Sequence, residues 1–482
     1  MSASSSSAPH RSIPTEDRIS SLPDSILTHI LSFLPTKSSA ATSLLSKRWN
    51  PLWLSVLDLY FNGETFFNNY TTIRHVVYLV MLSREVSLPI RSLSLRLENC
   101  KGIDINDINR FVNTALKRGG IQTLELIMAW NKDHLSNKLS PNVFNCKTLT
   151  VLKLKNLCLI IDLLPHQVHI PLLKILHMHR VMFKDYQQII KLLSGCPILE
   201  ELELQTYTRL TPPPPVNLVS IPPCISPNVF NYKTLTVLKL KYLRLIDLRP
   251  HQVHIPLLKI LHMHVVMFQD YQQINKFLLG CPILEELELQ TYTLLTPPPV
   301  NLPSGGSIRY MPNLVRAAIF NNAYIPFFLF SGARILRTKL MLVMDDVRVP
   351  TFHNLIQMEL FLCSLKGKTW DKKWMWMLEM LQHSPNLQHL TLHQEIVDGI
   401  DENNWQDPQT IPKCLSSQLR TCLLRGWRGR KCELQFAEYV MKNSKVLLTM
   451  TIHSACSIDI YAKFKMLQKL SVCPRGCELI FD

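Results

Sequence analysis

Closely spaced histidine pairs are the residues of this 482-residue chain best placed, by type, to do chemistry. His166 with His169 and His177 with His179 recur downstream as His251 with His254 and His262 with His264. Two imidazoles on one strand face supply two ligands, whereas a structural zinc site needs about four that converge. The pairs recur because one block of sequence is copied, so repetition adds no independent support. The sequence therefore assigns no metal and no cofactor. Cys473 and Cys477 lack a second pair nearby. The loop signatures GxxxxGK(S/T) and GxGxxG, the nucleophile elbow GxSxG and the metal helix HExxH are all missing. No spacing points to a Cys–His nucleophile either. The expectation is a chain without catalytic residues, one that is not an enzyme.

The elements that must carry these histidines are short strands of a repeat. Leu149-x-x-Leu152-x-Leu154 returns as Leu173, Leu176, Met178 and as Leu199, Leu202, Leu204. A second series starts at Leu235, Leu258 and Leu284, and weaker instances start at Ile90, Ile121, Leu314, Leu355 and Leu387. Such spacing sits in or just above the roughly 20–29 residues of leucine-rich repeats. The run SPNVFNCKTLTVLKLK from Ser140 reappears as SPNVFNYKTLTVLKLK from Ser226, and the copies stay aligned into their proline-rich ends. A stacked array tolerates insertion of a whole block, which a closed globule does not. Between strands, DYQQIIKLLSGCPILEE reads as a returning helix. Pro212–Pro215 and Pro297–Pro299 read as exposed, extended spacers.

Alternate side chains of a strand face opposite ways. With the leucines inward, the concave face of such an array carries Glu125, then Lys153 and Lys155, His177 and His179, and Glu201, Glu203 and Gln205. The second copy adds Lys239 and Lys241, His262 and His264, and Glu286, Glu288 and Gln290. Glu125, Lys153, His177, Glu203, Lys239, His262 and Glu288 are the candidate target-binding positions. Their alternating sign argues against nucleic acid, whose phosphates call for a uniformly basic stripe.

Composition agrees with a large folded protein: hydrophobic residues make up 47%, charged residues 18%. Lys+Arg 52 against Asp+Glu 36 leaves a net charge of +16. No apolar run approaches the roughly 18 residues needed to span a bilayer. The Ser-rich start has no secretory core, and the 13 scattered cysteines read as reduced thiols. Cytosol or nucleus is the expected compartment.

Asp17 to Trp53 forms a compact helical module. Pro23 suits a first helical position and Asp24 the positive helix end. Ile26, Leu27, Ile30, Leu31 and Leu34 follow as an apolar stripe, and Pro35 stops it. Thr36 is expected to cap a second helix carrying Ala40, Ala41, Leu44 and Leu45. So short a module cannot bury all its large side chains, so some should form a partner surface. The ordered run Leu22-Pro23-x-x-Ile26-Leu27-x-x-Ile30-Leu31, Leu34-Pro35-Thr36-Lys37, Leu44-Leu45-Ser46-Lys47-Arg48-Trp49 and Leu52-Trp53 resembles a plant F-box. Ser38 departs from it, standing where relatives often carry an acidic residue. The resemblance implies docking onto a Skp-type adaptor and, through it, a cullin. It implies that Leu22, Pro23, Ile26, Ile30, Leu34, Pro35, Leu45 and Trp49 are adaptor-facing or module-defining.

The C-terminal texture changes near Ile411. Strand-like Leu419–Leu424, a turn at Gly426–Gly429, a helix over Glu433–Met441, strand-like VLLTMTI, a helix around Phe464–Leu470 and a final ELIF strand follow one another. Ile411-Pro412-x-Cys414-Leu415, Gly426-Trp427-x-Gly429, Lys442-Asn443 and Pro474-Arg475 resemble, in that order, the FBD region of plant F-box/leucine-rich-repeat proteins. The fold class expected is α/β: a small all-helical F-box module, an irregular leucine-rich-repeat solenoid and an α/β FBD region closing it. The expected domains are a disordered leader over 1–15, the F-box over 16–62, the solenoid over 88–400 with copies at 140–218 and 226–302, and the FBD region over 411–482. The resemblance implies the substrate-recognition subunit of an SCF-type ubiquitin ligase, its repeats binding a target protein for ubiquitylation. A non-catalytic scaffold or decoy receptor is the alternative, ahead of a basic nucleic-acid-binding repeat protein.

Overall fold

A strand with leucines on one face is stable only when the next strand extends the same apolar layer, and the structure is built from that requirement. The computed structural model describes residues 18–130, 138–159, 168–183, 186–208, 224–225, 231–245, 253–268, 270–290, 293–294, 311–320, 327–340, 349–362, 370–394, 408–456, 458, 460–472 and 476–481. The leader 1–15, both proline loops, His166, His251 and Cys473 lie outside the described residues. Two compact units divide the chain, one ending at Leu157 and the other starting at Cys158.

The first unit opens with helices Asp24–Ser32 and Thr36–Ala41, a 3-10 turn at Thr42–Leu44, and a short helix Trp49–Leu52. Leu27, Leu31, Trp49, Leu52 and Val56 form its core, with Leu22 and Trp53 packed against them. Two expectations are corrected here. Pro23 is the N-cap of the first helix, not its first residue. Thr36 caps nothing, because its hydroxyl accepts the Tyr60 N–H at 2.8 Å and so ties the second helix to a strand. That strand, Asp58–Asn62, lies inside the expected all-helical module and pairs parallel with Ser92–Arg96. Its alternation buries Leu59 and Phe61, a period of two over too few residues to stand out in sequence. Thr123–Ile127 and Val151–Lys155 continue the ladder in parallel register. Helices Tyr70–Ser83 and Ile105–Arg118 return between strands, N-capped by Asn69 and Asp104.

In the second unit Ile175–Phe183, Glu201–Thr208, Val237–Leu245, Ile260–Phe268 and Glu286–Gln290 pair parallel in that order. Arg316–Phe320, Ile335–Leu340, Gln357–Leu362 and His389–Gln394 extend the ladder. Leu176, Leu202, Leu238, Leu261 and Leu287 stack in register, all fully buried. Each such side chain contributes about 1.5–3 kcal/mol on leaving water. Ile335–Leu340 is a strand that the leucine spacing does not announce. Its inward positions are Leu336 and Thr338, so the last leucine of the motif is a buried threonine.

The FBD region is built from the same element. Thr421–Trp427 pairs parallel with His389–Gln394, then Thr449–Ser454 and Glu478–Phe481 add on, so the sheet runs on unclosed. Gly426 and Gly429 take positive φ at the expected turn, where the register shifts beside Arg425. Helix Lys431–Asn443 is held at its start by Glu433, whose carboxylate accepts the N–H groups of Arg428 (2.9 Å) and Arg430 (3.0 Å). The helix Trp370–Gln382 packs Trp374 onto Phe436, centroids 5.2 Å apart, as expected of packing tryptophans.

Helices Tyr186–Ser194 and Tyr271–Leu279 each run into Gly-Cys-Pro. The glycine is required by close approach: a Cβ at Gly280 would lie 2.4 Å from the Val253 carbonyl oxygen, and at Gly195 2.7 Å from that of Val168. Burial pushes the following thiols, Cys196 and Cys281, up to about 12, so they act as small apolar side chains. Gly280→Ala should therefore lower unfolding stability by about 1–3 kcal/mol, read as a lower midpoint in chemical denaturation. An unchanged midpoint would show that this backbone approach is not a constraint.

Candidate functional sites

The F-box helices bury one apolar face and leave another bare. Leu27 and Leu31 point inward, while Ile26 and Ile30, one residue earlier on the same helix, are 44% and 41% exposed. Leu34 is also exposed, and Leu45 is 69% exposed beyond the end of the second helix. Thus Ile26, Ile30, Leu34 and Leu45 share the surface class, with Pro23 exposed and Pro35 half-buried. Leu22 and Trp49 belong to the interior and define the module. Two exposed residues escape the sequence reading, Phe33 at 75% and Leu44 at 89%. Phe33 caps the helix end, off the periodic stripe, and Leu44 sits in a 3-10 turn where helical spacing fails. Arg48 fixes the geometry behind this face. Its guanidinium donates to the Ser20 and Leu22 carbonyls, both at 2.5 Å, and pairs with Asp24 at 2.6 Å.

The polar sheet face is a second candidate. In the first unit Glu125 is nearly buried, and Arg96 grips it with Nε and Nη2 at 3.0 and 2.9 Å while Ser94 donates at 2.5 Å. Burial would raise this carboxyl, but the bonds from Arg96 and Ser94 outweigh it and hold Glu125 below its ordinary value. Lys153 is half-buried on the adjacent strand, opposite Glu125. Lys155 reaches Glu98 at 3.1 Å.

In the second unit the same alternation brings opposite charges together. His177 Nε2 lies 2.8 Å from Glu201 Oε1 and His179 Nε2 3.4 Å from Glu203 Oε2, with Lys239 Nζ 4.0 Å from Glu203. The copied block repeats the pattern: His262 Nε2 to Glu286 Oε1 at 2.8 Å and His264 Nε2 to Glu288 Oε1 at 3.3 Å. The face extends beyond the candidate positions. Glu359 is paired with Arg337 Nε and His393 Nε2, both at 2.7 Å, and Phe361 stacks on His393 at 4.2 Å and 6°. Carrying the period of two past Gln290 would have found these residues. Their strands lack the full leucine motif, so the signal is weaker there.

Glu203 is held down to about 2, first by its bond from His179 and then by the nearby positive charge, against the upward pull of burial. Its folded value lies below the unfolded carboxylate value of about 4.3. The carboxylate therefore contributes stability that is complete above the unfolded value and lost as pH falls through about 2. Glu203→Gln should destabilise the protein at neutral pH, and the gap between variant and wild type should close under acid. Denaturation curves across that range check it; a gap independent of pH would overturn the assignment.

Among the described residues no helix is long and apolar enough to cross a membrane. A helical F-box module, an open parallel ladder of leucine-rich strands and a C-terminal FBD region define the class: an F-box protein with leucine-rich repeats. The comparisons agree with it. The F-box domain family matches residues 19–59, the family described as "FBD-associated F-box protein At5g56370, LRR repeats" matches 112–221, and FBD matches 406–452. The F-box/FBD/LRR-repeat protein At4g26340 of Arabidopsis thaliana is 29% identical over 479 residues, covering 97% of this chain and 100% of the relative. The F-box/FBD/LRR-repeat protein At4g00160 of the same plant is 30% identical over 449 residues, 91% of this chain and 86% of its own. A chain of the crystal structure of a TLR13–ssRNA13 complex aligns with 77% of this chain and 57% of its own, at 12% identity and a TM-score of 0.28, which carries no functional argument. The chain belongs to the plant F-box/FBD/LRR-repeat family.

Proposed function

We propose that this protein is the substrate-recognition subunit of an SCF-type cullin-RING ubiquitin ligase. Its F-box docks a Skp-type adaptor, the adaptor joins it to a cullin, and the repeats bind a target protein. The observation that carries this reading is the bare face of Ile26, Ile30, Phe33, Leu34, Leu44 and Leu45 over a filled core. Apolar surface left on a module whose interior is already packed is held for a partner.

Within this reading the chain makes and breaks no bonds. Its contribution is proximity: holding a target near a ubiquitin-loaded enzyme raises the effective concentration of the target's lysine. The repeat strands suit that role because their polar side chains are paired laterally and present a set pattern. Uniformly basic tracking of phosphates does not fit a face whose carboxylates interleave with its cations. The cytosol or nucleus is the compartment this role requires.

Substitution on the bare face separates docking from folding. Ile30→Asp with Leu45→Asp should weaken capture of a Skp-type adaptor at least about tenfold, since buried anchors each carry more than about 1 kcal/mol, while thermal unfolding stays near wild type. Leu22→Ala, by contrast, should lower the melting temperature, because Leu22 packs on the module core. Undiminished adaptor capture by the double variant would remove the proposal. Adaptor capture without cullin recruitment would instead make the protein a scaffold or decoy receptor.

A further inference from the structure

We infer that His177, His179 and Glu203 form a binding site for one divalent transition-metal ion of the zinc class. Strand Ile175–Phe183 buries Leu176 and Met178 completely, which forces both histidines onto the polar face. The adjacent strand Glu201–Thr208 is in register, so Glu203 stands directly opposite His177 and diagonal to His179. One ligand atom from each of the three lies within 4.8 Å of the others. Donor atoms around a tetrahedral zinc, each about 2.1 Å from it, lie about 3.4 Å apart. His179 Nε2 and Glu203 Oε2 already have that spacing, at 3.4 Å. A side-chain adjustment of His177 completes a set of two imidazoles and a carboxylate, with the remaining positions open to water or to an outside ligand.

A supporting carboxylate is also in place. Glu201 Oε1 is 2.8 Å from His177 Nε2, which leaves the Nδ1 atom as the donor toward the ion. Carboxylates that hold the far nitrogen of a ligating histidine fix its tautomer and orientation. The copied block displays the arrangement more openly: His262 Nε2 is 2.8 Å from Glu286 Oε1 while its Nδ1 is 3.8 Å from Glu288 Oε2, and His264 Nε2 is 3.3 Å from Glu288. All three first-site residues are half-buried, accessible to an ion yet partly shielded from water.

Lys239 is the competitor, its Nζ 4.0 Å from Glu203. In the copied block the residue opposite Glu288 on the following strand is Ala318, so that set faces no lysine on this side. Removing Lys239 should therefore strengthen the first site. Both histidines must be neutral to ligate, so binding should fade as pH falls through the histidine range of about 6.5.

Calorimetric titration of Zn2+ into the metal-stripped full-length chain tests the site. His177→Ala with His179→Ala should bind one ion fewer than wild type, Glu203→Gln should weaken that ion about tenfold or more, and Lys239→Ala should tighten it. Equal zinc stoichiometry in wild type and the double-histidine variant, or no zinc bound by wild type, would overturn the site. If the double variant does not fold, Co2+ decides with the isosteric Glu203→Gln chain. Ligand-field bands of low-coordinate Co2+ in wild type that weaken in Glu203→Gln support the site, and identical spectra overturn it.

Discussion

Everything in the repeat region depends on one constraint: each strand exposes a row of apolar side chains that only an in-register parallel neighbour can cover. Slipping one residue would send the leucines to solvent and the charged residues inward. Register is therefore set by the core. The lateral order of the polar face follows from it with no further choice. His177 stands beside Glu203 because Leu176 stands beside Leu202.

That order explains how a sheet face rich in ionisable groups stays stable. Parallel neighbours lie about 4.8 Å apart, close enough for like charges to repel strongly. The succession of Lys, His and Glu puts opposite partners side by side instead. Glu203 and Glu359 each meet two basic neighbours, and Glu125 is clasped by Arg96. The net excess of positive charge is consequently no signature of a phosphate-binding track on this face.

The duplication acts as an internal control on these forces. A copied block placed further along the same ladder reproduces the His–Glu contact at the same 2.8 Å. It also reproduces the close approach of a helix-ending glycine to a valine carbonyl. The copies differ where their outer neighbours differ: Lys239 follows one glutamate and Ala318 the other. Local geometry therefore travels with the block, whereas electrostatic surroundings are set by position in the stack.

The sequence by itself determined the repeat, its inward leucines, the alternating outer face, and the order of F-box, repeats and FBD region. Those features have short periods or long motifs, and side-chain burial enforces them residue by residue. It did not reveal Ile335–Leu340, where Thr338 replaces a leucine, or Asp58–Asn62, whose partner strand begins at Ser92. Helical spacing placed Ile26, Leu27, Ile30 and Leu31 on one stripe. Only packing against Trp49 and Leu52 decided which of them stay outside. In the same way, the histidine pairs were visible as pairs, but their carboxylate comes from a neighbouring strand distant in sequence. Contacts within one element can be read from periodicity. Contacts between elements depend on register, and register exists only once the leucine core has closed.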